Sequence, residues 1–283
     1  MIRAEPITEP VAYHGEGPVF SERWGGLRWV DMLAGDVLSL GDDGEVRRVH
    51  VGDVAAALRP RRSGGAVIGV ERGFALEEPD GKLRRLGELW SGSAVRMNEG
   101  ACDPDGRFYC GSMAYDRQAG GGAVFRLDPD LSVRVVLEGV TISNGLDWSP
   151  DGKLAYYNDT ETYRTDVFDY ASDTGLAGRR CFVGFEPDEG RPDGLCVDAE
   201  GGVWVAMNGA GAVRRYSPDG ALEEVVEVPV AKATACTFGG AGLDQLFITT
   251  SRENLPPEAE PLAGSLCCAE VSVRGQPARE FAG

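Results

Sequence analysis

The sequence predicts an all-β fold, a six-bladed β-propeller with four antiparallel strands in each blade. Three observations point to it. Apolar residues come in bursts of strand length, glycine and proline are spread along the whole chain, and one turn signature recurs between the bursts. The bursts include Leu27 to Met32, Gly122 to Leu127, Gly202 to Met207 and Gln245 to Thr249, rich in β-branched and aromatic residues and bounded by turn formers. No long stretch carries a sustained helical stripe; the best short one, around Asp53 to Leu58, spans a turn or two at most.

The turn signature reads Asp42-Asp43-Gly44, Pro79-Asp80-Gly81, Pro104-Asp105-Gly106, Pro150-Asp151-Gly152, Ala199-Glu200-Gly201 and Pro218-Asp219-Gly220. Proline presets the first turn dihedral, the acidic side chain caps the turn, and glycine accepts the positive φ that closes a hairpin. Six hairpins follow. From Gly106 to Gly152 is 46 residues and from Gly152 to Gly201 is 49, and 283 residues divided by six gives about 47, the size of a propeller blade. The remaining intervals of 37, 25 and 19 are irregular. Two stacked sandwiches are the competing all-β arrangement, but no Ser/Pro-rich or charged linker separates two halves. One propeller domain over residues 1–283 is therefore expected, with Leu255 to Pro261 a surface loop of the last blade.

Composition excludes several functions. Forty-five acidic against 28 basic residues give a net charge of −17; such a surface repels phosphate backbones and anionic lipid heads. Nucleic-acid and membrane partners are not expected. Only His14 and His50 are available as imidazoles and no Gly-x-Ser-x-Gly elbow occurs, so a His-rich zinc site is impossible and a serine-hydrolase triad has little to draw on. Acid, base or metal chemistry must lean on oxygen ligands. Seven cysteines without a C-x-x-C pair read as reduced thiols of a cytoplasmic protein. The first residues lack the apolar core of a signal peptide and no run is long enough to span a membrane. Asp173-Thr174-Gly175 has no second copy to complete a protease dyad and reads as a hairpin turn. Nucleotide-binding glycine motifs are missing.

A propeller's inner strands line a central channel, where polar residues distant in sequence converge. Glu16, in His14-Gly15-Glu16-Gly17-Pro18, is either an inward-facing ligand or a solvent-facing turn residue; His14 beside it is either a proton shuttle or simply hydrogen-bonded in place. Arg96 and Asn98 share one face of an extended segment, and such a pair can clamp oxygen functions. Asn144, in Ser143-Asn144-Gly145-Leu146-Asp147-Trp148, is an oxygen ligand or a left-handed turn residue before glycine. Asp193 holds the corresponding place in Arg191-Pro192-Asp193-Gly194-Leu195, 49 residues later. Two oxygen ligands at equivalent places of consecutive blades are what a metal site on the channel axis requires.

At these residues the chain resembles the senescence marker protein (regucalcin), gluconolactonase and luciferin-regenerating enzyme family of six-bladed propellers. The resemblance rests on Gly15 to Phe20, Leu27 to Met32, Ser143 to Gly152, Pro192-Asp193-Gly194 with Val197 to Gly201, and Thr237 to Gly240 followed by Leu246 to Thr250, in order along almost the whole chain. It implies that Glu16, Asn144 and Asp193 hold one divalent metal ion, Ca²⁺, Zn²⁺, Mg²⁺ or Mn²⁺. It also implies that Arg96, Asn98 and, by a softer alignment, Asp116 contact a sugar-like substrate. The family often writes Asn-Asp-Gly where this chain has Asn98-Glu99-Gly100, and Trp where Phe20 stands; the first departure bears on hydrogen bonding beside the substrate, the second on packing.

The implied activity is hydrolysis of sugar lactones such as gluconolactone. The ion would polarise the lactone carbonyl and activate water, with Asp193 as base. Two alternatives stand beside it: a phosphotriester or other ester hydrolase using the same cage, and a calcium-binding regulatory propeller without turnover. A closed propeller needs no partner subunit, so a monomer taking a small-molecule sugar lactone is expected.

Overall fold

The computed structural model describes residues 2–256 and 258–283; Pro257, within the expected surface loop, lies outside them. Six sheets follow one another along the chain, each a meander of antiparallel strands. The innermost strands are Gly15–Ser21, Ala55–Pro60, Val95–Cys102, Ser143–Trp148, Arg191–Val197 and Ala233–Gly239. Each packs against the inner strands of the blades before and after it, and the last packs against the first, which closes the ring. Among the described residues helix is confined to four single 3₁₀ turns, and no helix is long and apolar enough to cross a membrane. The segment from Asp53 to Leu58 forms no helical turn; Ala55–Pro60 is the buried inner strand of the second blade, because strand pairing on one side overrides a weak local helical pattern.

All six turn signatures form the hairpins read from the sequence, with positive φ at Gly44, Gly81, Gly106, Gly152, Gly201 and Gly220. Their irregular spacing has a simple cause. The turns at Gly106, Gly152 and Gly201 join the first two strands of the third, fourth and fifth blades, so they recur once per blade. Those at Gly44, Gly81 and Gly220 join the last two strands of the first, second and fifth blades. Asp173-Thr174-Gly175 also closes a hairpin, between Arg164–Ala171 and Gly175–Gly184.

The sixth blade has only three strands from the C-terminal part; Glu5–Pro6 supplies its outer strand by pairing with Cys267–Glu270. Ile2–Arg3 adds in parallel to the outer edge of the fifth blade. The two chain ends are thereby stitched together, removing an open edge. Between blades the core is aromatic: Tyr109 meets Trp148 edge-on at 5.4 Å and Trp204 meets Phe238 at 5.6 Å, each pair joining neighbouring blades. The C-terminal tail crosses the ends of the inner strands. Gln276 Nε2 donates to the carbonyls of Trp148 and Val197, both at 3.0 Å, and Phe281 is fully buried with its N–H on Pro60 O at 2.8 Å. That leaves the channel open at the opposite end, where the inner strands begin.

Candidate functional site at the channel mouth

Near its start, every inner strand breaks register with its neighbour. The breaks fall between Glu16 and Val19, Ala55 and Ala57, Met97 and Gly100, Ser143 and Leu146, Pro192 and Leu195, and Ala233 and Ala235. A bulge gives one residue extra freedom and re-aims its side chain. Here Asn98, Asn144 and Asp193 fall within the breaks, with Glu16 at the edge of its own. The glycines after Asn144 and Asp193 serve close packing. A Cβ on Gly145 would lie 2.4 Å from Leu195 N, and one on Gly194 2.4 Å from the Ala235 Cβ. Asn144 is thus a strand residue, without the left-handed backbone that precedes many glycines.

Glu16, Arg96, Asn98, Asn144 and Asp193 line one cavity of about 740 Å³. All five side chains are buried, between 2% and 6% exposed. Asn144 Nδ2 donates to Asp193 Oδ1 and, at 3.1 Å, to Thr160 Oγ1. Asp193 Oδ2 accepts from Asn208 Nδ2 at 2.8 Å, and its carbonyl accepts from Asn158 Nδ2 at 2.6 Å. Asn98 Nδ2 donates to Ser143 O at 2.8 Å, and its Oδ1 accepts from Arg96 Nη1 at 2.6 Å. Asp116 does not join them. It is exposed and caps its own turn, accepting from Gln118 N at 3.1 Å, while its neighbours Tyr115 and Arg117 face the cavity.

The electrostatics are those of uncompensated negative charge. Burial pushes the Glu16 carboxyl well above its usual range, and the charges of Asp193 and Glu99 add to the effect. Burial likewise raises Asp193 to about 7 against the lowering influence of Asn208 and Asn144. Among the described residues neither carboxylate has a Lys or Arg nitrogen within 4.0 Å; the nearest cationic candidate is His14 Nε2, 3.9 Å from Glu16 Oε1. His14 is no counterion, since burial and then Arg96, Lys232 and Arg117 lower its pKa to about 3. Its Nδ1 lies 2.7 Å from Ser251 Oγ, so the hydrogen-bonded alternative describes it.

Two buried carboxylates without a cation, beside an amide oxygen without a donor, fit a metal ion: Asn144 Oδ1 is buried and has no hydrogen-bond partner among the described residues. Among the described residues no three His, Cys, Asp or Glu groups cluster tightly enough to hold an ion, so the donor set depends on this amide. The residues missed from sequence are those that support the ligands from outside the inner strands, Asn158 and Asn208 on second strands and Thr160 in a 3₁₀ turn; Glu99, read from the sequence only as a departure beside Asn98, joins them in the interior. Glu99 is buried with Arg59 Nη2 at 4.0 Å and its carboxyl raised by burial. Asn158, Thr160 and Asn208 are single polar residues whose place beside the ligands is set by strand pairing and by the 3₁₀ turn after it, with no local pattern to mark them.

Comparison with known proteins bears out the family resemblance read from the sequence motifs. The family model described as SMP-30/Gluconolactonase/LRE-like region matches residues 14–252. Regucalcin of Oryctolagus cuniculus is 34% identical over 296 aligned positions, covering 100% of this chain and 99% of the relative. Two solved structures superpose over nearly the whole chain. The calcium-binding protein regucalcin of Agrobacterium tumefaciens has a TM-score of 0.93 at 27% identity, covering 99% of this chain and 97% of that one. A luciferin-regenerating enzyme has a TM-score of 0.91 at 25% identity, covering both chains fully. With the propeller, the ordered motifs and this coverage in agreement, the chain belongs to the SMP-30/gluconolactonase/LRE-like family.

Proposed function

We propose that this protein is a divalent-metal-dependent lactonase that opens sugar lactones. The observation that carries the reading is the site itself: the buried Glu16, Asn144 and Asp193 line one cavity at the channel mouth, with an unsatisfied amide oxygen and, among the described residues, no Lys or Arg nitrogen within 4.0 Å of either acid. The family's description includes gluconolactonase, and the Agrobacterium tumefaciens relative is described as calcium-binding. Both support the reading.

Glu16, Asn144 and Asp193 would hold the ion through oxygen, a donor set suited to Ca²⁺, Mg²⁺ or Mn²⁺ and tolerated by Zn²⁺. When bound, such an ion supplies Lewis acidity to a carbonyl oxygen and lowers the pKa of water. The chain's own residues do the rest. Asp193 is the base that takes the proton of the attacking water, and Asn208, hydrogen-bonded to its Oδ2, fixes the carboxylate. Arg96 and Asn98, locked together, present donors to ring hydroxyls and hold the ester carbonyl in place. Asp193 is committed to the ring of neighbours around it, so the base is pre-oriented before substrate arrives.

A panel of aldonolactones assayed with and without chelator, alongside elemental analysis of the purified protein, tests the reading. Chelator-sensitive turnover with a stoichiometric divalent ion is expected. Metal uptake without turnover of any lactone would instead favour a binding propeller, and turnover of phosphotriesters but not lactones would favour the other hydrolase.

A further inference from the structure

We propose that the lactone taken by this cavity carries a second, anionic group, a carboxylate or a phosphate, received by Arg96, Arg117 and Lys232. The inference rests on the lactonase reading and narrows its substrate class.

The argument begins with how this acidic chain spends its cations. Of its 28 Lys and Arg residues, 20 have a carboxylate oxygen within 4.0 Å. Among the described residues that leaves eight without one, and three of the eight line this single cavity. Arg96 is 6% exposed, yet its Nη1 meets only neutral acceptors: Asn98 Oδ1 at 2.6 Å, Met97 O at 3.0 Å and Met32 Sδ at 3.0 Å. Lys232 Nζ donates to a backbone carbonyl, Glu253 O, at 2.5 Å. The exposed Arg117 side chain has no hydrogen-bond or ion-pair partner among the described residues.

A buried guanidinium with no anion beside it is costly; the Tyr115 ring, its centroid 5.8 Å from Arg96 Cζ, offsets part of that cost, and an arriving anion would recover the rest. Neutral ring hydroxyls do not need three cations; neutral donors would serve them. Carboxylates also line the cavity, and they do not supply the missing partner. Glu16 and Asp193 are the proposed metal ligands, which a divalent ion neutralises. Asp188 and Glu253 remain, with no Lys or Arg nitrogen within 4.0 Å among the described residues. Arg191, the fourth cation of the lining, is already bound to Glu161 at 3.1 Å. The loaded site therefore keeps a local positive excess inside a body of charge −17. That body repels anions at long range, but its field is screened beyond about 8–10 Å at physiological salt, leaving the local cations to decide binding. In the reaction the water oxygen bonds to the carbonyl carbon, the ring C–O bond breaks and the ring oxygen takes a proton. The product is a hydroxy acid with two anionic groups at neutral pH.

The test uses the metal-loaded full chain and three lactones of one ring size: a neutral aldonolactone, its counterpart with a terminal carboxylate, and its counterpart with a terminal phosphate. In kcat/KM, at least one anionic lactone is expected to exceed the neutral one by about tenfold or more, and the two arms show which anion is meant. Arg117→Gln and Lys232→Gln should each lower the anionic-to-neutral ratio several-fold, whereas Lys153→Gln, remote on an exposed hairpin, should leave the ratio alone. Calorimetric binding of the ring-opened products, the monoacid against the diacid, gives a readout independent of turnover. Equal or better use of the neutral lactone, or a ratio unmoved in both Arg117→Gln and Lys232→Gln, overturns the inference while leaving a lactonase. Absence of lactone turnover, with diacid binding that still depends on Arg117 and Lys232, keeps the anion site and removes the lactonase.

Discussion

Asn144 and Asp193 stand 49 residues apart and touch side chain to side chain, Asn144 Nδ2 donating to Asp193 Oδ1. Each sits in the bulge of its own inner strand, so one structural device repeated in adjacent blades brings an amide and a carboxylate together. The contact occupies Nδ2 and leaves Oδ1 of Asn144 without a partner.

Asp193 should be the most sensitive single position. Asp193→Ala removes the proposed base and a proposed metal donor at once, and lactone turnover with metal in excess should fall by about 10² to 10⁴. Asn208→Ala, which removes only the hydrogen bond to Oδ2, should cost less. Steady-state kinetics on both variants checks the order; near wild-type turnover by Asp193→Ala removes that residue from the mechanism.

Without metal, the site makes stability depend on pH in a signed way. An unfolded Asp titrates near pH ~4 and folded Asp193 near 7, so between these values the folded state holds more protons. Stability therefore declines as pH rises through that window, and Glu16 acts in the same direction. His14 opposes them below about pH 6.5: its folded pKa of about 3 makes the unfolded state bind more protons, so its contribution is lost as pH falls. Thermal melts of metal-free protein should show Asp193→Asn abolishing part of the decline toward pH 7 and His14→Gln abolishing part of the loss on acidification. Unchanged slopes in both variants would contradict this assignment.

Packing between blades should dominate the stability of the ring. Trp148 is fully buried against Tyr109 and Tyr170, and Trp148→Ala should cost about 3–5 kcal/mol in chemical denaturation. Gly194→Ala should cost about 1–3 kcal/mol through overpacking, because its new Cβ would meet the Ala235 Cβ at 2.4 Å.

The C-terminal tail should behave as a clamp. Deleting residues 276–283 removes the Gln276 bonds to two blades and the buried Phe281, and a clear drop in melting temperature is expected. An unchanged melt would mean the ring closes through its strands alone.

The sequence made the propeller legible because its hairpins obey local rules: acid caps and positive-φ glycines are written into six short turns. Glu16, Asn144 and Asp193 were legible as candidates because two of them recur at one blade's spacing before glycine. Asn158, Thr160 and Asn208 were not, since they act from neighbouring strands or, for Thr160, from the 3₁₀ turn that follows one, at places set by register. Lys232 was equally silent; only the closed ring carries it to the cavity that holds Glu16. The register breaks depend on pairing partners, and the helical stripe at Asp53 to Leu58 yielded to such pairing.

Equilibrium metal binding tests the central claim most directly. Titration of the metal-free protein with Ca²⁺, Mn²⁺ and Zn²⁺ should reveal one ion per chain, with affinity reduced by about tenfold or more in each of Glu16→Gln, Asn144→Leu and Asp193→Asn. Folded variants that bind as tightly as the wild type, or a wild type that takes up no ion, would contradict it.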